Sequence, residues 1–254
     1  MSIVKAMNIK KVYGEGEKFA QTVALDQFNI ELEQGEFIAI MGPSGSGKSS
    51  LLNVLSGFDQ PSSGEVFIQG SNINGMTGDE LAIFRRSHIG YIFQEFNLLD
   101  SLTIQQNIML PMILNREEQT SMNEKADELM ERLGILSIKY KYPYQVSGGQ
   151  QQRAAVCRAL INETSVIFAD EPTGNLDSKS SKAVLGFLEE TNKKHNTTIL
   201  LVTHDPIAAS YSDKVLFLKD GTIRTQVYKK ESKDHFIKHI LDNLAVLEED
   251  DYDI

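Results

Sequence analysis

Apolar and polar positions alternate through Val23, Leu25, Phe28, Ile30 and Leu32 up to a Gln34-Gly35 break, the largely two-residue period of a half-buried strand. After Glu36 the pattern becomes a continuous apolar run, Phe37 to Met41, and residues 36–41 are predicted to form a short buried strand. A glycine-rich loop follows, and over residues 48–55 Leu51, Leu52 and Leu55 fall on one side of a predicted helix. Short strands are expected again at residues 64–69 and 89–93. From residue 102 to residue 160 the periodicity is helical, which predicts an α-helical lobe at about residues 96–160. Strand patterns return at residues 166–169, 199–202 and 215–218, separated by helical stretches at 179–194 and 206–211. Strands alternating with helices imply an α/β protein with a parallel sheet covered on both faces.

Asp220-Gly221 between two apolar runs reads as a hairpin turn. Beyond it, Phe236, Ile237, Ile240, Leu241 and Leu244 recur at helical spacing within residues 229–247. The acids Glu248, Glu249, Asp250, Asp251 and Asp253 then form a polar, frayed tail. The expected division is residues 1–227 as one domain, with 228–254 as an amphipathic helix and acidic tail.

With 41% hydrophobic and 24% charged residues in 254, the chain can bury a sizeable core, and wholesale disorder is excluded. The net charge of −10 argues against nucleic acid as a partner. No apolar run approaches the roughly 18–20 residues of a spanning helix, and residues 1–20 lack the apolar centre and cleavage site of a secretory signal. A cytosolic compartment is expected. Cys157, the single cysteine, lies in an apolar-periodic segment and reads as a small buried hydrophobe.

The chemistry starts at Gly42-Pro43-Ser44-Gly45-Ser46-Gly47-Lys48-Ser49, followed by Ser50, which satisfies G-x-x-x-x-G-K-[ST] between a predicted strand and a predicted helix. Glycines let successive backbone N–H groups point inward as an anion nest, Lys48 reaches the terminal phosphates, and Ser49 suits Mg²⁺. A second signal is Val166-Ile167-Phe168-Ala169-Asp170-Glu171, an apolar strand ending in two carboxylates that face the ligand crevice of an open α/β sheet. Asp170 is placed to hold Mg²⁺. Glu171 is expected to act as an unpaired base for the water attacking the γ-phosphorus.

Val146-Ser147-Gly148-Gly149-Gln150 resembles the signature sequence of ABC-type ATPases, with Val146 where the family usually has leucine. Other motifs follow in that family's order. Gln94 resembles the glutamine that senses Mg²⁺ and the attacking water, and Thr173-Gly174-Asn175-Leu176-Asp177 the loop crossing the dimer interface. Thr203-His204-Asp205 resembles the segment whose histidine contacts the γ-phosphate, and Tyr13 the aromatic that stacks on adenine. The resemblance implies a P-loop NTPase with a RecA-like core, an N-terminal antiparallel β region and an inserted helical subdomain. It implies ATP and Mg²⁺ as cofactors, and a head-to-tail homodimer in which each ATP lies between the loop around Lys48 and the other subunit's Ser147, Gly148, Gly149 and Gln150.

Finer features narrow the resemblance: Tyr13-Gly14-Glu15-Gly16-Glu17, Arg85-Arg86, Phe96-Asn97-Leu98-Leu99, Asn107 and Leu110-Pro111 are similar to the class that serves macrolide exporters and lipoprotein-release systems. Within it, Phe168-Ala169-Asp170-Glu171 and the stretch from Thr203 to Tyr211 most resemble ATPase subunits of bacitracin- and nisin-type peptide-resistance transporters of Gram-positive bacteria. An integral membrane permease is then an obligatory partner, its cytoplasmic helix received near Phe96, Leu98 and Leu99, and the subunit sits peripherally on the inner face of the membrane. A cassette for transmembrane signalling or for macrolide or lipoprotein extrusion has the same motifs. A repair or translation ATPase fits less well, since no heptad array separates Lys48 from Ser147 and only one cassette is present. A GTPase lacks its base-reading N-K-x-D, because Asn192-Lys193-Lys194-His195 fails at the fourth position.

Overall fold

The computed structural model describes residues 2–14, 21–230 and 232–249. Strands β1 (Ser2–Tyr13) and β2 (Thr22–Glu33) pair antiparallel, and a tight turn leads into β3 (Phe37–Met41). The phosphate-loop sequence then enters α1 (Lys48–Leu55). Next, β4 (Ser63–Ile68) and β5 (Ser71–Asn72) complete a four-stranded antiparallel sheet of order β2-β1-β4-β5. Helix α2 (Gly78–His88) starts at a Thr77/Glu80 capping box and leads to β6 (Ile89–Ile92).

Three helices follow in the chain between β6 and β7: α3 (Ile104–Leu114), α4 (Gln119–Arg132) and α5 (Gly148–Leu160). They interlock through Ile104, Ile108, Met112, Met122, Ala126, Met130 and Val156, all buried in one continuous cluster. Then come β7 (Val166–Asp170), α6 (Ser178–His195), β8 (Thr198–Val202), the short α7 (Pro206–Ala209), and β9 (Lys214–Lys219) with β10 (Thr222–Tyr228). The expected hairpin is present, with Asp220 and Gly221 both at positive φ.

The second sheet has the order β10-β9-β3-β8-β7-β6, parallel except where β10 pairs with β9. Each central strand feeds two cores. Val166 and Phe168 of β7 pack with α1 and the antiparallel sheet, while Ile167 and Ala169 pack with the helices opposite. Leu51 and Leu52 of α1 are fully buried, and truncating such a leucine to alanine costs about 2–5 kcal/mol. Because β3, β8 and β7 are parallel neighbours in register, with Ile40 opposite Val202 and Asp170 opposite Val202, their C-terminal ends form one edge. The phosphate loop, Asp170, Glu171 and His204 all follow from that edge.

Helix α8 (Lys233–Glu249) docks on this chain's own body, burying Phe236, Ile240 and Leu247, with Leu247's carbonyl accepting from Lys219 Nζ at 2.8 Å. Leu241, on the same predicted apolar face, is exposed. The tail residues Asp250, Asp251 and Asp253, and Glu15 to Glu17 near the N-terminus, lie outside the described residues. Cys157 is fully buried, and burial pushes its thiol pKa up, which suppresses reactivity.

Candidate active site

The loop from Gly42 to Gly47 leaves the end of β3 and becomes the start of α1. Gly47 caps that helix at φ 99°, with no side chain bonding the first-turn N–H groups. A Cβ at Gly47 would stand 2.2 Å from the Ala24 carbonyl oxygen of β2, so only glycine fits. The same carbonyl lies 2.8 Å from where a Cβ of Gly221 would sit, and Gly221 donates its N–H to the Ser46 carbonyl at 3.2 Å. The loop, β2 and the β9–β10 turn therefore meet in a joint too tight for side chains.

Lys48 Nζ donates to the carbonyls of Gly42 at 2.9 Å and Pro43 at 2.7 Å. Burial lowers the lysine's pKa, while the Glu171 and Asp170 charges oppose that shift. Asp170, at the end of β7, is shifted the other way: burial and repulsion from Glu171 raise its pKa, against a Ser49 hydrogen bond and the Lys48 charge. Its Oδ1 is buried and has no hydrogen-bond partner. An orphaned, desolvated carboxylate oxygen beside the Ser49 hydroxyl is what a hard cation would satisfy. Among the described residues no group of three or more His, Cys, Asp or Glu forms a metal cage. Sites that take Mg²⁺ do not need one, since substrate phosphates supply further oxygens.

Glu171 follows in the left-handed region at φ 44°, its N–H bonded to the Val202 carbonyl at 2.9 Å. Its side chain is only 11% exposed. Oε1 accepts from the His204 backbone N–H at 2.9 Å and lies 2.7 Å from His204 Nδ1; Oε2 accepts from Thr203 Oγ1 at 3.2 Å. The expectation of an unpaired carboxylate is thus corrected: a residue at the end of a neighbouring parallel strand lies within reach, and His204 and Thr203 take up the lone pairs. Next to a carboxylate, Nδ1 is the nitrogen that carries the imidazole proton.

These groups share one cavity of about 480 Å³, lined by Gly42, Ser44, Gly45, Gly47, Lys48, Ser49, Ser50, Gln94, Asp170, Glu171 and His204, with Tyr13 on its wall. Pro43 and Ser46 do not line the cavity; within the loop the Ser46 N–H donates to the Pro43 carbonyl at 3.3 Å, and the Ser46 hydroxyl is buried. Thr22, Ala24 and Val202 also line it. Nothing in the sequence marks Thr22 or Ala24, because their place depends on the β2 packing.

Ser147, Gly148, Gly149 and Gln150 do not line this cavity. They form the N-terminus of α5, where Ser147 Oγ accepts from the Gln150 N–H and the Gln150 side chain accepts from the Ser147 N–H at 3.0 Å. Asp177 is also elsewhere; it caps α6, accepting from the N–H groups of Lys179 and Ser180 and from the Ser180 hydroxyl. Arg158, near the end of α5, donates to the carbonyls of Phe96 and Asn97, two consecutive residues at positive φ just after Gln94. A second cavity of about 350 Å³ at the seam of α4 and α6 holds none of the phosphate-site residues; its Lys125 and Arg132 are paired with Glu163 and Glu190.

An anion nest with a buried lysine, a carboxylate short of a partner, and a second carboxylate held by a strand-end histidine, all on one edge of a parallel sheet, define a nucleotide-triphosphate-hydrolysing cassette. The chain belongs to the ABC transporter family, whose pattern matches residues 25–174, and it is the ATPase subunit of such a transporter. It is 50% identical to the bacitracin export ATP-binding protein BceA of Halalkalibacterium halodurans, over 97% of both chains. Identity is 46% to the ABC transporter ATP-binding protein YxdL of Bacillus subtilis, over 97% of this chain and 95% of the relative. Among solved structures it resembles the dimeric, post-hydrolysis ATP-binding cassette MJ0796 of Methanocaldococcus jannaschii bound to ADP and Pi, with TM-score 0.85 and 37% identity over 90% of this chain and 100% of that one.

Proposed function

We propose that the subunit binds and hydrolyses ATP as a head-to-tail pair and drives a separate membrane permease in resistance to bacitracin-like peptides. The observation that carries the pairing is the separation within one chain of two anion-directed helix starts, α1 inside the cavity and α5 outside it. Ser147, Gly148, Gly149 and Gln150 then serve the cavity of the second copy, and Asp177 lies at the junction.

Lys48 and the Gly42 to Ser50 backbone bind the β- and γ-phosphates. Ser49, Asp170 and Gln94 are the residues that hold Mg²⁺, which when bound neutralises phosphate charge in the transition state. Glu171 takes the proton of the attacking water. It becomes free to do so as His204 exchanges Glu171 for a γ-phosphate oxygen, leaving Thr203 to keep the carboxylate oriented. Tyr13 stacks on the base.

No helix among the described residues is long and apolar enough to cross a membrane. The power stroke acts on a separate permease at the inner face of the membrane. Its cytoplasmic helix docks near Phe96 and Leu99, the latter 48% exposed. Leu98 instead packs against the helical core, which makes Leu99→Asp the cleaner probe: ATP binding intact, copurification with the permease lost. For the whole reading, the test is bacitracin tolerance of cells in which Glu171→Gln replaces the native subunit. Tolerance should fall to the level of the deletion strain; undiminished tolerance overturns the peptide-resistance assignment.

A further inference from the structure

Inward positions of β1 run Val4, Ala6, Ile9 and then Lys11, only 9% exposed. A desolvated ammonium persists only where its donors are satisfied. Lys11 Nζ donates to Asp59 Oδ1 at 2.7 Å and to the Gln60 carbonyl at 2.8 Å, and it stands over one face of the Tyr13 ring, 4.8 Å from the centroid. The other oxygen of the same carboxylate, Asp59 Oδ2, accepts from the Tyr13 hydroxyl at 3.0 Å. Burial pushes the Asp59 pKa up, but hydrogen bonds from Lys11 and Tyr13 and the Lys11 charge outweigh it and hold the carboxylate ionised below its usual range. Tyr13, 39% exposed, is thus fixed by its hydroxyl and by one ring face, and it lines the cavity of Gly45 and Lys48.

We propose that Asp59 and Lys11 are positioning residues that pre-set the plane of Tyr13 for a flat heteroaromatic base. The inference rests on the reading of Tyr13 as the base-stacking residue. Lys11 occupies one face of the ring, and the base takes the opposite one. A ring already held in place does not pay its ordering cost on binding, a saving that corresponds to about 2- to 12-fold in affinity. The paired charges of Lys11 and Asp59 cancel, so the device leaves the cavity's phosphate electrostatics alone.

The test is equilibrium binding of MgATP and of magnesium tripolyphosphate, which has the phosphates without the base, to the full chain and to Asp59→Asn, Lys11→Met, Tyr13→Phe and Tyr13→Ala. Tyr13→Phe, which keeps both charges, should weaken ATP by about 2- to 12-fold, spare tripolyphosphate, and raise KM rather than lower kcat; Asp59→Asn and Lys11→Met should weaken ATP relative to tripolyphosphate by the same factor. Tyr13→Phe leaves the Lys11–Asp59 pair intact, so it reads the tether without disturbing the buried charges. In the Tyr13→Ala background, Asp59→Asn should add nothing. Equal weakening of both ligands, or an unchanged ATP affinity in Asp59→Asn and Tyr13→Phe while Tyr13→Ala weakens ATP, overturns the positioning role alone. Unchanged ATP affinity in Tyr13→Ala overturns the stacking assignment and the inference with it.

Discussion

Helices α1 and α5 both begin at glycine-bearing turns, yet the two starts are finished in opposite ways. At α1, Gly47 offers no side chain to the first-turn N–H groups, and the surrounding charges are only partly relieved: Lys48 and Asp170 are both desolvated, and Asp170 has an oxygen without a partner. At α5, Ser147 and Gln150 cap each other, so two of the first N–H groups are bonded by the helix's own side chains. A site that binds charge is left electrostatically incomplete in the chain that carries it, whereas a surface offered to another copy has to be stable alone.

The comparison breaks first at Glu171. Glu171→Gln should slow turnover by about 10²- to 10⁴-fold, the usual loss of a general base, with ATP binding retained; steady-state hydrolysis near the native rate would remove Glu171 from the chemistry. Lys48→Ala should weaken ATP by about 10- to 100-fold, the loss of a charge-assisted contact of about 1.5–3 kcal/mol, measurable by titration calorimetry. Ser147→Ala sharpens the contrast, because it should cost about 0.5–2 kcal/mol of stability as a lost cap while leaving ATP binding to the isolated chain unchanged and abolishing cooperative hydrolysis. Equal loss of binding in the isolated chain would place Ser147 in the wrong half of the site.

On stability, Asp170→Asn gives the smallest and least intuitive effect. A carboxyl whose pKa is raised on folding stabilises the fold below its unfolded pKa and loses that contribution as pH rises through the folded value. At neutral pH the ionised form therefore strains the fold. The amide should raise the melting temperature, by about 2–4 °C for each kcal/mol relieved, and the gain should vanish in acid, while hydrolysis is lost. A melting temperature unchanged at pH 7 would mean that Asp170 is not strained.

The phosphate loop was legible because a continuous apolar run, a fixed glycine spacing and a lysine all sit within a dozen residues, and local rules govern them. The strand-end acids were legible for the same reason. β1 was not, since Asn8 at φ 51° and repeated register shifts against β2 break the alternation between Ala6 and Ile9. Helix α2 is mostly polar and buries only Leu81, and its clearest sequence signal was the Thr77…Glu80 box. Glu171's pairing to His204 and Thr203 joins residues far apart in sequence whose proximity is set by parallel strand register, and the Asp59 tether on Tyr13 is equally remote. Motif spacing reports which groups exist; only packing reports which of them are already engaged.

The crowded joint of Gly47, Ala24 and Gly221 has a mechanical consequence. Tyr13 of β1 is paired with Thr22 on β2, two residues before Ala24, so the strand that approaches the phosphate loop also pairs with the Tyr13 segment of the cavity wall. A substitution that shifts β2 at Ala24 is therefore transmitted to both Tyr13 and the phosphate loop, two parts of one cavity wall.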